Sequence, residues 1–512
     1  MPFSDLPFGV YSNIFYFLDA LDILAVGKTC STLRAASQAR SVWTTALTKL
    51  CRENHILKTT FDVGEMSLNQ LKHVCTAPSR TLSMIKKGSP MGTYQDYLTL
   101  NPQSVHEVHQ NGFGKYQRIF LVPGGRYLLA YGGKSIILYD LNVAQPVATH
   151  PIQARVPHSN DFSFMPCPSP DGQEIRVLMS RKLHGSSIAI QTEISVIFFI
   201  LKDQSNERLS TTSRSTTISS WSSSFGRLPY TIVGDLVVFC DELDNGDDIL
   251  VVWHYMQYKI AAWHIPTVTG GYLEVFVDKE YVVLVLSAEL IYWKIPDLRS
   301  RPHPEGDIPI QKIPVSCRVP LHWDQGISLQ VQRPVYCARL FDWYNTFLSL
   351  PSIDFVSSAS DCCLFIKNTL ICHQLDGSPF DPKDPEFIPF HTFSQFHIPA
   401  GSGSRHRLRV SPYAICNDWV VKTFMQDTKL YVCATPPRNG DVGNQALSAA
   451  GTSMEPDRTV RLLLPEDYRP ADDPHTTLAR KHFCFDPLSG RLAYLSKGTR
   501  IVVVDYLKYP DI

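Results

Sequence analysis

The sequence has no excess of charge of either sign: 48 Lys and Arg face 48 Asp and Glu among 512 residues. A neutral chain offers no general electrostatic attraction to nucleic acid or to an anionic membrane, so neither is expected as a partner. Long hydrophobic runs are also missing. The run at 194–201 falls far short of the roughly 20 residues a transmembrane helix needs. The start, Met1-Pro2-Phe3-Ser4-Asp5, has neither the basic region nor the apolar stretch of a secretory signal. The 13 cysteines are odd in number, irregularly spaced from Cys30 to Cys484, and include no CxxC pair. That excludes a disulfide framework, and the adjacent Cys362 and Cys363 do not suit one tetrahedral zinc. The expectation is a soluble chain of a reducing intracellular compartment, cytoplasmic or nuclear, with no metal and no cofactor.

Signatures of catalysis are equally scarce. Gly112-Phe113-Gly114-Lys115 is too short for a phosphate-binding loop and has no Ser or Thr after the lysine. In His106-Glu107-Val108-His109 the histidines stand three apart, not the four that puts two ligands on one helical face, and the stretch reads as a surface loop. No G-x-S-x-G elbow marks a nucleophile. His254 and His264 fall in strand-like segments beside Trp253 and Trp263 and read as strand residues, not ligands. A catalytic group assembled from distant segments, in a propeller-type hydrolase or lyase with an incidental helical cap, stays open as an alternative.

What is present begins at the N-terminus. Leu6-Pro7 opens a helix, because proline is tolerated in a first turn where its missing N–H costs nothing. Val10, Ile14, Phe17, Leu18 and Leu21 follow at spacings of three and four. Asp22 is placed to cap a second helix carrying Ile23, Leu24, Val26, Cys30 and Leu33, and Ser41 a third carrying Trp43, Leu47 and Leu50. Gly27 falls inside the second helix, at a cost of up to about 1 kcal/mol relative to alanine. Three helices this short cannot bury so much apolar surface among themselves. The remainder is either covered by the rest of the chain or offered to a partner. Ser67-x-x-Gln70 then forms a capping box for a further short helix with Leu68, Leu71, Val74 and Cys75 on one stripe, placed to brace the module.

Order and spacing over about forty residues resemble the F-box family: Leu6-Pro7, Ile14-Phe15 with Phe17-Leu18, Leu21-Asp22-Ile23-Leu24, Thr29-Cys30, Leu33-Arg34 and Ser41-Val42-Trp43. The resemblance implies docking on a Skp-type adaptor and, through it, on a cullin–RING ubiquitin ligase of the SCF type. It implies Leu6, Pro7, Ile14, Phe15, Leu18, Leu24, Leu33 and Trp43 as residues that line or support the docking surface. Some of these must hold the helices together instead.

From about residue 110 the helical period gives way to short strands rich in Val, Ile, Leu, Tyr and Trp between Gly, Pro, Asp and Asn turns. The clearest unit runs through Pro123-Gly124-Gly125 and Gly132-Gly133 to Asp140. Loose repeats of it recur to Asp505, near the C-terminus, which resembles the blades of a WD-repeat-like β-propeller. The expected fold class is therefore multidomain α plus all-β. An F-box module at 1–55 and a helical bracing linker at 56–109 precede a large β domain at 110–512, a β-propeller of six to eight blades. Stretches 206–228 (dense in Ser and Thr), 296–314, 376–404 and 436–473 read as long loop insertions. The implied function is a non-catalytic substrate receptor that holds a protein target on the β domain. A scaffold using the module outside any ligase is the other alternative.

Overall fold

A computed structural model gives the fold. It describes residues 6–508 apart from short breaks and the longer stretches 109–115, 142–151, 202–213, 223–229, 301–309, 321–335, 340–353, 376–389, 400–408, 436–457 and 466–482. The chain is mostly β, with helices at its N-terminus. It divides into two compact units, residues 1–156 with 403–512, and residues 157–402.

The N-terminal helices are α1 (Phe8–Tyr16), α2 (Ala20–Val26), α3 (Ser31–Ser37), α4 (Arg40–Glu53) and α5 (Leu68–Lys86). The second expected helix is thus split in two. Gly27 closes α2 and is buried, and a Cβ there would run into the Ser37 hydroxyl of α3. The glycine lets two short helices cross closely, where the sequence suggested only a weakened single helix. Caps shift accordingly. Asp19, not Asp22, precedes α2, Ala39, not Ser41, precedes α4, and the Cys30 sulfur accepts the Leu33 N–H at 3.5 Å to cap α3. The capping box of α5 forms as read: Gln70 N–H donates to Ser67 Oγ at 3.2 Å, and Ser67 N–H to Gln70 Oε1 at 2.7 Å.

Helix α5 serves two cores. Its first half places Leu71, Val74 and Cys75 against Phe15, Ile23, Leu33, Trp43 and Leu47 of the module. Its second half places Leu82 and Ile85 among Val432, Val460, Leu492 and Val504 of the β sheets. The bracing role expected of this helix is therefore physical packing on both sides. The linker, however, is helical only to Lys86. Strands Ser89–Pro90 and Thr99–Leu100 pair with Arg458–Leu462, and Ser104–Val108 pairs with Arg500–Asp505. The stretch around His106 is accordingly an edge strand where the sequence suggested a loop. Its partner lies some four hundred residues away, so no local pattern could reveal it.

Three sheets belong to the first unit. One runs in order Tyr116–Leu121, Tyr127–Gly132, Ser135–Asp140, Ile152–Arg155. Another centres on Trp419–Gln426, Lys429–Thr435 and Arg458–Leu462. The third runs Phe483–Asp486, Arg491–Ser496, Arg500–Asp505 and then Ser104–Val108. Side chains of neighbouring sheets interleave: Ile119, Leu128 and Ile137 of the first pack on Val108, Ala493, Leu495, Ile501 and Val503 of the third.

Among the described residues the second unit holds four sheets, three of four antiparallel strands and one of six. They begin at Phe162–Pro168, Tyr230–Val233, Tyr272–Asp278 and Tyr336–Arg339. Two cores fill the spaces between the first three, one around Phe198, Phe239 and Trp253, the other around Trp263 and Trp293.

Several expected loops turn out to carry strands. Arg214–Ser222, in the Ser/Thr tract, pairs along Ile190–Phe198 as an outer strand. Short strands Arg299–Ser300 and Ile310–Gln311 extend the sheet at Lys259–His264, Phe390–Pro399 pairs with Lys367–Leu375, and Arg458–Leu462 lies within 436–473. Most of the remainder of those insertions, with Gly112–Lys115, His109, Cys362 and Cys363, lies outside the described residues.

Candidate functional site

The helical module sorts its apolar residues into two sets. Phe15, Leu33 and Trp43 are in the core, with Trp43 fully buried and its indole N–H donating to the Ser37 carbonyl at 2.7 Å. Leu6, Leu18 and Leu24 are partly buried against that core. Ile14 is half-buried and Pro7 exposed. The eight residues named from the resemblance therefore span core, support and surface.

A second set faces solvent: Phe8 (49 % exposed), Val10, Tyr16, Phe17 (78 % exposed) and Leu21. Phe17 and Leu21 appeared in the sequence motif as members of the helical stripe, and Phe8 and Tyr16 carried no signal at all. Phe17 follows α1 directly, stacked edge-on against Tyr16 with ring centroids 5.4 Å apart. Asp19, between α1 and α2, is 3.6 Å from Lys49 of α4. Exposed aromatic side chains on and directly after α1, joined by Leu21 of α2 and lying over a buried core, are the kind of surface a partner can cover.

The module is held to the sheets by polar contacts as well as by α5. Arg126 Nη1 donates to the carbonyls of Thr59 (2.8 Å) and Thr60 (3.2 Å), while its Nε and Nη2 grip Asp140. Tyr127 Oη donates to the Thr59 carbonyl at 3.1 Å. Gly124, with φ of +93°, lets the hairpin turn lie against Thr60 and Ile56; a Cβ would stand 2.8 Å from Thr60 Cγ2. An equivalent arginine in the sheet of Phe483–Asp505, Arg491, grips Asp505 and donates to the Gly125 carbonyl at 2.7 Å. In the second unit Arg176 does the same, reaching the Gly234 carbonyl at 3.0 Å and Asp235 at 2.6 Å. The arginine at the start of a sheet's second strand thus clamps a neighbouring backbone carbonyl three times over. At Arg126 that carbonyl belongs to the segment leading out of the helical module.

No comparable arrangement for chemistry is present among the described residues. No three His, Cys, Asp or Glu side chains there are placed to hold a metal ion. Burial pushes the Cys51 and Cys75 thiols up to about 12, so they stay protonated as core side chains. His264 ends its strand, 3.8 Å from Asp247. No described helix is long and apolar enough to cross a membrane.

No family model matches the sequence, and no curated protein matches it. Among solved structures, the WD40 domain of SCAP from fission yeast is similar at 9 % identity, covering 77 % of this chain and 82 % of that one, with a TM-score of 0.36. The CNH domain of AfRom2 is similar at 10 % identity, covering 80 % of this chain and 100 % of that one, with a TM-score of 0.35. Hsv2p of Kluyveromyces lactis is similar at 10 % identity over 56 % of this chain and 74 % of that one, with a TM-score of 0.29. At such identities and scores these likenesses say nothing about function.

Proposed function

We propose that this chain is the substrate-recognition subunit of an SCF-type ubiquitin ligase. The helical module docks on a Skp-type adaptor and through it on a cullin, and the β region, a β-propeller of six to eight blades in this reading, holds a protein target. The chain itself is non-catalytic; its contribution is proximity. The observation that carries the reading is the solvent-facing set Phe8, Val10, Tyr16, Phe17 and Leu21 on a module whose own core is filled. Such side chains are costly to leave in water and gain on meeting a partner's apolar surface. The F-box-like order of residues supports an adaptor as that partner. The seven sheets among the described residues, most of them four-strand antiparallel runs, support the propeller.

The test is co-purification of the tagged chain with a Skp-type adaptor and a cullin, wild type beside Leu6→Ala/Pro7→Ala and beside Phe17→Asp. Because Leu6 packs on the core and Phe17 does not, the second variant separates docking from folding. Retention of both partners by wild type and loss by folded Phe17→Asp supports the reading. Adaptor without cullin points to a scaffold outside the ligase. Absence of adaptor overturns the reading.

A further inference from the structure

Helix α5 meets the last strand of the chain through a polar cluster that neither the module core nor the sheets require. Arg80 of α5 donates from Nη1 to His73 Nδ1 at 3.1 Å and from Nη2 to the Lys508 carbonyl at 3.1 Å. A guanidinium has only donors, so Nδ1 of the buried His73 must offer its lone pair, and the ring in this arrangement is neutral. A proton on Nδ1 sets N–H against N–H and the bond is lost.

The charged groups around this pair come from each neighbouring element. Asp505, on the last strand, acts on His73 through space, and is itself gripped by Arg491 of the adjoining strand. From the edge strand, Ser104 donates to Asp505 at 2.9 Å, and His106 lies 3.0 Å from the Ser104 hydroxyl and 3.7 Å from the carboxylate. Since the Ser104 proton goes to Asp505, His106 Nε2 donates to Ser104, and further protonation of His106 costs it no bond. Glu107 and Arg500 pair with each other at 3.4 Å, toward solvent. Asp486 lies behind Arg491 and ties down the Gly124 turn. Of the two histidines, only His73 loses a contact on taking up a proton.

We propose that the His73–Arg80 pair is an acid-sensitive latch: protonation of His73 frees Arg80 and, with it, the segment that leaves the last strand at Tyr506–Lys508. Burial, with Arg80 beside it, depresses His73 to about 4, whereas an opened, hydrated ring titrates at its ordinary value of 6.5. Opening is therefore favoured about twenty-fold more at pH 5 than at pH 7.

The measurement is amide hydrogen exchange on the full chain at pH 7 and pH 5, corrected for intrinsic rates. It compares Tyr506, whose N–H donates to the Gly490 carbonyl, with Leu250–Val252 inside the second unit. In wild type, protection at Tyr506 should fall about twenty-fold more than at Leu250–Val252 between the two pH values. His73→Asn, which keeps an uncharged acceptor near the Nδ1 position, should abolish that difference. Arg80→Leu should leave Tyr506 weakly protected at both pH values, a reading that does not depend on how well His73→Asn folds. Equal protection of Tyr506 at both pH values in wild type overturns the latch. So does an undiminished pH response in His73→Asn, or full protection in Arg80→Leu.

Discussion

The division between exposed and buried aromatics in the helical module yields a sharp pair of outcomes. Phe17 is 78 % exposed, so docking can still remove most of its ring from water. Full burial of a phenylalanine is worth about 1.5–3 kcal/mol, which leaves roughly 2 kcal/mol to be gained on binding. Phe17→Ala should therefore weaken binding to a purified Skp-type adaptor about thirty-fold, since about 1.4 kcal/mol is a factor of ten. Its fold should hardly notice, with a change within about 0.5 kcal/mol. Trp43→Ala should do the reverse in order of events. Emptying a fully buried indole site costs about 3–5 kcal/mol and unfolds the module, and binding is lost as a consequence. Titration calorimetry gives the affinity, and urea denaturation followed by far-ultraviolet circular dichroism gives the stability. If Phe17→Ala binds the adaptor as wild type does, or destabilises the fold as much as Trp43→Ala, then the exposed set is not the docking surface.

Three other outcomes follow from the sheets. Arg491→Met leaves the Asp505 carboxylate buried without its guanidinium and should cost about 3–5 kcal/mol in chemical denaturation, most of it recovered in Arg491→Met/Asp505→Leu. Gly124→Ala should cost about 2–4 kcal/mol, because the residue has a φ of +93° and its new methyl meets Ile56 and Thr60 within 2.9 Å; a thermal shift of less than a degree speaks against the close packing. Burial raises the Asp486 carboxyl from 3.8 to about 6, so its stabilisation is complete below pH 4 and is lost as pH rises through 6. Asp486→Asn should remove that slope, on the order of 3 kcal/mol between pH 4 and pH 7, in a stability–pH profile.

Much of the local structure was legible in the sequence. Ser67-x-x-Gln70 announced α5, and Pro123-Gly124-Gly125 announced a turn, because caps and turns are decided within a few residues. The docking face was harder to read. In α1 and the turn after it, Phe8, Val10, Tyr11, Ile14, Phe15, Phe17 and Leu18 leave hardly a polar side, so periodicity cannot tell which apolar face is turned inward. Tyr11 and Phe15 are buried, and the others are not. Gly27 illustrates a different limit. Its cost within a helix can be read locally, but its reason is the hydroxyl of Ser37 on another helix. The strands at 89–108 were invisible for a similar cause, since what makes them strands is a partner sequence at 458–505.

That long-range pairing has a consequence for how the protein is made. Ser104 and Asp505 are separated by 401 positions along the chain. At about 5–20 residues per second on a ribosome, the edge strand waits roughly 20–80 s for the strand it pairs with. Throughout that wait the second half of α5 has no Val432, Val460, Leu492 or Val504 to cover Leu82 and Ile85. The helical module can fold early around Trp43, but the sheet beside it cannot form until Arg500–Asp505 has been synthesised. A nascent chain in that state exposes sticky helix and strand edges together, which makes chaperone supply, and not only native stability, a determinant of yield.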